Sequence, residues 1–167
     1  MNNPSRLAWR LGGLMAALVV AVGAALWWTP PGKASDPITR HKVDALALAV
    51  AKASLAKDLE GIMAPLASDV RIEQRHLDGS VEVLYDYQSY RQTLETLLPR
   101  MTDIYYRQSR PALAITPDEQ QAVYQFTLEE GFVLDEERYD HYYRETWGLE
   151  MRRGELKITR VFIEDIY

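Results

Sequence analysis

Hydrophobic positions change period along this chain, and the changes mark its elements. Leu11 to Trp28 is apolar without a charged residue. From Asp36 onward, Leu48, Ala51, Leu55, Leu59, Ile62 and Leu66 recur at helical spacings and predict one apolar stripe. Asp36-Pro37 offers an N-cap followed by proline at the first helical position. Lys57-Asp58 interrupts the stripe, with Asp58 capping a short second helix through Ala64, and Pro65 and Ser68-Asp69 close it. Val70 to Leu77 alternates loosely, and Asp78-Gly79 is a hairpin signal leading into Val81 to Tyr85. A further helix, capped by Asp86, places Tyr87, Tyr90, Leu94, Leu97 and Met101 on one face, with Pro99 near its end.

Beyond Met101 the period falls to two, the signature of strands. Ile104 to Ile115 is broken by Pro111, which predicts an edge or a bulge. Thr116-Pro117-Asp118 turns the chain into Gln121 to Leu134, where Ala122, Tyr124, Phe126 and Leu128 share a face and Gly131 predicts a bulge. The last hairpin runs from Tyr139 to Tyr167 around Arg152-Arg153-Gly154. Its predicted inner face carries Tyr139, His141, Tyr143, Trp147 and Leu149, then Leu156, Ile158 and Phe162 on the return.

The apolar segment Leu11 to Trp28 is about 27 Å long as a helix, close to the hydrocarbon thickness of a bilayer. Trp9 and Trp27-Trp28 bracket it as interfacial residues do, and Pro30-Pro31-Gly32 ends it. A retained anchor, a cleaved signal peptide and a buried helix are the three readings. The first is preferred because the run exceeds the ~7–15 apolar residues of a cleaved signal. Arg6 and Arg10 in the short head favour N-in, C-out, a single pass through the inner (plasma) membrane. The expected division is a head at 1–10, a transmembrane helix at 11–28, a linker at 29–35 and a folded domain at 36–167.

The charge changes the list of partners. Across 167 residues there are 19 Lys and Arg against 24 Asp and Glu, a net of −5. Arg6 and Arg10 precede the apolar segment and no acid does, so the domain is more acidic than the whole chain. Nucleic-acid binding needs clustered positive charge, so no nucleic acid is expected. The absence of cysteine removes disulfides and thiolate chemistry.

Three stretches resemble the nuclear transport factor 2-like (SnoaL-like) superfamily. They are Leu55 to Ile72 with its helix break and Asp69-Val70, the helix Tyr87 to Met101 after a short strand, and the hairpin Glu145 to Ile158. In that hairpin Arg153-Gly154-Glu155-Leu156-Lys157-Ile158 stands where the family has Asp-Gly-Xaa-Trp-Lys-Ile, with leucine in place of tryptophan. The resemblance implies an α+β domain in which a cone-shaped, curved antiparallel sheet wraps the helices. It also implies a pocket in many members, isomerase or dehydratase activity in some, and frequent dimers through the sheet. The family's catalytic residues have no position-by-position match here.

On the expected inner face, Tyr106, Tyr124, His141, Tyr143 and Arg160 are the candidate pocket residues. His141 is the candidate general acid/base, since imidazole titrates near neutrality. Arg160 on an apolar face needs a partner, and Glu145 on the adjacent strand is the expected one. Glu129-Glu130 and Asp135-Glu136-Glu137 read as a solvated acidic edge. His41, His76 and His141 are too scattered in sequence to predict a zinc site, and no calcium loop or phosphate-binding glycine loop is present. No cofactor or metal is expected. The first functional reading is a membrane-anchored, extracytoplasmic interaction or assembly module without catalysis, acting as a homodimer or with a protein partner. The alternative is a small-molecule-binding protein, or an isomerase- or dehydratase-type enzyme, using the cone pocket.

Overall fold

A computed structural model describes residues 36–76 and 80–166. The predicted anchor at 11–28, its flanks and the Asp78-Gly79 turn lie outside the described residues. No helix among the described residues is long and apolar enough to cross a membrane. The domain is α+β, with helices α1 (Arg40–Ala56), α2 (Leu59–Met63) and α3 (Tyr87–Leu97) and strands β1 (Leu66–Arg75), β2 (Val81–Asp86), β3 (Met101–Ile115), β4 (Gln121–Leu134), β5 (Glu137–Arg152) and β6 (Glu155–Asp165).

The first helix starts later than its proline predicts. Ile38 is buried, and its N–H donates to the Glu119 carbonyl at 2.8 Å, so the chain from Asp36 stays extended until Thr39. Thr39 is the N-cap, accepting from the Lys42 N–H. The helix ends at Lys57 in the left-handed conformation (φ 55°), and Asp58 caps α2 by accepting from the Gly61 N–H at 3.1 Å. The face of α1 is also a correction. Val43, Ala47, Val50, Ala53 and Ser54 are buried, while Leu48 and Leu55 remain 56% and 47% exposed. The small residues Ala47, Ala53 and Ser54 let α1 lie close to the sheet, an advantage that a leucine stripe lacks.

The sheet has the order β2-β1-β6-β5-β4-β3. Its pairs are antiparallel except β1 with β6, which run parallel, so the purely antiparallel sheet expected from sequence is corrected at that one seam. The end strand β3 tolerates Pro111 through a register shift between Ser109 and Ala112, with Arg110 at φ 54°. Gly131 does not bulge β4: pairing with β5 is continuous, and Phe126, Leu128, Glu130, Phe132 and Leu134 are all buried. The bulge is on β3, between Thr102 and Tyr105. A Cβ at Gly131 would fall 2.3 Å from Tyr105 Cε1, which explains the glycine.

The decisive irregularity lies in β6. Gly148 pairs with Arg160 and Leu149 with Ile158, leaving Thr159 as an extra residue. After it the inward positions move from even to odd numbers, because side chains alternate across a strand. Ile158, Val161 and Ile163 are buried, Phe162 is only half-buried, and Arg160 is exposed. The guanidinium of Arg75 lies 4.4 Å from the Phe162 ring centroid. Arg160 is therefore not a charge on the inner face, and it forms no pair with the buried Glu145.

Replacing Ile163 by alanine is expected to cost about 2–5 kcal/mol, whereas Arg160→Ala should stay within about 0.5 kcal/mol of the parent. Urea denaturation of both variants checks the register; equal losses would contradict it.

Candidate functional site

The inner face of β4 and β5 is apolar except at three positions. Across the ladder Glu130 faces His141, Leu128 faces Tyr143, and Phe126 faces Glu145. Glu130 and Glu145 are only 2% and 1% exposed. The solvated acidic edge expected at Glu129-Glu130 holds only for its first residue, which pairs with Arg107 at 2.7 Å. Asp135 pairs with Arg100, and Glu137 accepts from the Tyr139 hydroxyl at 2.5 Å. Period two sends Glu129 out and Glu130 in.

Burial holds both buried carboxyls well above the ordinary glutamate value of 4.5. For Glu130 the opposing influence is the Tyr143 hydroxyl, which donates to Oε1 at 3.5 Å. For Glu145 burial is the largest cause, the Glu130 charge raises it further, and the Trp147 indole lowers it. That indole N–H nevertheless makes no hydrogen bond, and one oxygen of each glutamate is also without a partner. No arginine or lysine contributes to either group. Burial penalises the charged form, so the site favours the protonated form of both acids, which carries an O–H donor.

Around them stand three tyrosines. Tyr90 from α3, Tyr106 from β3 and Tyr143 from β5 are all raised, by burial first and then by Glu130 and Glu145. Glu145, Trp147, Tyr90 and Tyr106 line an internal cavity of about 20 Å³, completed by aliphatic side chains of α1, α2, β1 and β6. A second, open cavity of about 310 Å³ lies between α1 and the β3–β4 edge and is lined by Asp44, Leu48, Ala51, Tyr106, Gln108 and Tyr124. Tyr106 forms a wall of both.

The candidate residues thus separate. Tyr106, His141 and Tyr143 lie with the acids. His141 stacks on Tyr143 (centroids 5.4 Å apart) with its Nε2 unpartnered, and burial lowers its pKa against the raising effect of Asp140. Tyr124 sits in the outer cavity, where Gln108 Nε2 donates to its hydroxyl at 3.0 Å. Arg160 faces outward. Sequence reasoning missed Glu130 as an interior group and gave Glu145 an arginine partner that it does not have, although both fall on the period-two face that holds Phe126, Leu128, Tyr143 and Trp147.

No protein-family model matches the chain, and no curated protein matches it in sequence. Solved structures match its fold. A nuclear transport factor 2-like protein from Cytophaga hutchinsonii aligns with a TM-score of 0.62 at 13% identity, over 77% of this chain and 100% of that one. A ketosteroid isomerase-like protein from Erwinia carotovora atroseptica aligns at 0.56 and 14%, over 76% and 95%. A nuclear transport factor 2-like protein of unknown function in nutrient uptake, from Rhodospirillum rubrum, aligns at 0.60 and 17%, over 75% and 98%. At these identities the likeness establishes the fold: the domain has the nuclear transport factor 2-like architecture expected from its three sequence stretches.

The raised carboxyls set a pH dependence. The folded state keeps protons that the unfolded chain releases above 4.5, so their contribution to stability is full below that pH and declines as pH rises through the folded values. The slope is at most about 1.4 kcal/mol per pH unit for each group. Denaturation from pH 5 to 8 is expected to show the decline in the parent and a shallower one in Glu145→Gln; a flat parent profile would refute buried, neutral acids.

Proposed function

We propose that the domain binds a small neutral molecule inside the cone and is carried outside the cytoplasm on an N-terminal membrane anchor. The observation that carries the binding reading is Glu145: a wholly buried carboxyl without a counter-ion, one oxygen unpartnered, facing a cavity with Trp147. Removing such a group from water costs free energy that packing does not return, and a ligand supplying acceptors would offset it. Perturbed acids in a cavity are default candidates for binding and acid/base work.

The chemistry selects the ligand. A protonated carboxyl donates, so the complementary group is a carbonyl or ether oxygen, while Tyr90, Tyr106 and Trp147 favour a flat apolar body. An anion would meet no fixed positive charge there. Pockets for small molecules occupy roughly 300–1,000 Å³, so the inner cavity at about 20 Å³ is too small unless Tyr106 swings aside and joins it to the outer cavity of about 310 Å³. With Tyr106 as the dividing wall, that outer cavity is the entrance. Glu130 and Glu145 are then the groups to hold or transfer a proton, with His141 beyond Glu130.

The small volume of the inner cavity favours a second reading, a non-catalytic interaction or assembly module that pairs with a copy of itself or with another protein. Titration with a neutral aromatic ketone, 2-acetonaphthone, separates the two. Binding measured as a rise in Tm of the full chain in micelles is expected in the parent, is retained in Glu145→Gln, which keeps a donor, and is lost in Glu145→Leu. No rise in the parent, or an equal rise in both variants, would leave the assembly reading in its place.

The anchor is supported by the uncharged run from Leu11 to Trp28 with flanking tryptophans. The full chain is expected in the membrane fraction, with its C-terminal domain cleaved by protease added to spheroplasts. Recovery of the intact chain in the soluble fraction, or protection of the domain, would overturn this placement.

A further inference from the structure

Three strands converge at one end of the sheet. β1 and β6 are parallel with Arg75 opposite Glu164, so His76 and Asp165 follow side by side one step further along. On β2 the ladder passes from Gln74 opposite Val83 to Arg75 opposite Val81, and the residue left over is Glu82. Bulges re-aim the side chain at the extra position. One nitrogen of His76, one carboxylate oxygen of Glu82 and one of Asp165 consequently lie within 4.8 Å of one another. His76 Nδ1 is 3.9 Å from a Glu82 oxygen.

We propose that His76, Glu82 and Asp165 form a site for a divalent transition metal of the Zn²⁺ class. The local charge balance supports a cation. Asp165 is half-buried and makes no ion pair among the described residues. The arginines nearest in sequence are engaged elsewhere: Arg75 with Glu73 at 2.5 Å and over Phe162, Arg144 with Glu164 at 3.6 Å. Two carboxylates therefore share a small space with an imidazole. The Glu82 side chain is 12% exposed and that of His76 45%, so the donors are partly desolvated yet open to an arriving ion.

The donor set selects the metal. Imidazole with two carboxylates suits zinc, whose bonds to nitrogen and oxygen are about 2.0–2.2 Å and whose tetrahedral ligands stand about 3.3 Å apart. The three donor atoms already lie within 4.8 Å of one another, on residues at or next to paired strand ends. Calcium demands about six to eight oxygens, and magnesium prefers an all-oxygen octahedron. Three protein ligands leave a fourth position to water.

The test is calorimetric titration of the chelator-stripped full chain, in micelles, with zinc chloride. One equivalent is expected to bind, with affinity weakened about tenfold or more in each of Asp165→Asn, Glu82→Gln and His76→Gln. Magnesium and calcium chlorides are expected to give no comparable uptake. Absence of stoichiometric zinc uptake, or uptake unchanged in the three variants, would overturn the site. Urea midpoints in chelator, expected to be unchanged for the exposed His76→Gln, separate a lost ligand from a lost fold. Glu145 is untouched in these variants, so the outcome is independent of ketone binding.

Discussion

Thr159 has no register partner on β5, where its hydroxyl instead donates to the Gly148 carbonyl at 3.3 Å, and every inward side chain of β6 beyond it depends on that mismatch. A β6 that continued from Ile158 without the bulge would turn Arg160 inward opposite Trp147 and Phe162 inward opposite Glu145, and would expose Val161 and Ile163. The bulge instead places Val161 opposite Trp147, Ile163 opposite Glu145 and Asp165 opposite Tyr143. It thereby makes the wall behind Glu145 aliphatic and removes the one guanidinium able to neutralise it. The same shift brings Asp165 round to His76 at the strand ends. Both candidate sites rest on one inserted residue.

That arrangement explains why the interior acids are pushed toward their protonated forms rather than paired. A buried ion pair compensates its desolvation only when the geometry is excellent, and breaking one leaves an uncompensated charge. With Arg160 outside, Glu130 and Glu145 have each other, hydroxyls and an indole, and protonation is the remaining way to lower the cost. Each proton taken up turns an acceptor into a donor. Burial first, and then any charge on the two glutamates, also drives Tyr106 and Tyr143 away from ionisation. The interior is a set of carboxyls and hydroxyls in an apolar shell, without the Arg160 guanidinium that the sequence pattern placed there.

Much of the fold was legible because its signals are local. Asp58 and Asp86 cap their helices as predicted, and the latter forms a reciprocal capping box with Ser89. Pro111 marks an irregularity in an end strand, and Gln121 to Leu134 is β4 to the residue. The failures are all matters of tertiary context. The buried face of α1 is chosen by how closely Ala47 and Ala53 approach the sheet, which the leucine stripe misrepresents. The parity change in β6 is visible only as the gap between Ile158 and Val161, a weak signal beside the even-numbered run it interrupts. His76 meets carboxylates rather than histidines, and they come from strands whose pairing no spacing reveals. Glu130 was set aside because charge was read as exposure, although period two already placed it among aromatic neighbours, and Glu145 was paired with an Arg160 that the β6 bulge turns outward.

The two candidate sites are not isolated from each other, because Tyr143 lies between them. Its hydroxyl donates to Glu130, its register partner on β6 is Asp165, and both carboxyls contribute to its raised pKa. A dication held by His76, Glu82 and Asp165 would cancel negative charge at one end of this row and favour ionised forms along it. Glu130 would feel that change through Tyr143, and Glu145 through Glu130. The number of protons held inside the cone, and with it the preference for acceptor over donor ligands, would then respond to occupancy of the strand ends. Coupling of this kind is reciprocal: a ligand that requires protonated glutamates would weaken the metal by the same factor that the metal weakens it. The row Asp165–Tyr143–Glu130 is short enough for direct electrostatics to carry the effect, without any moving element between the sites.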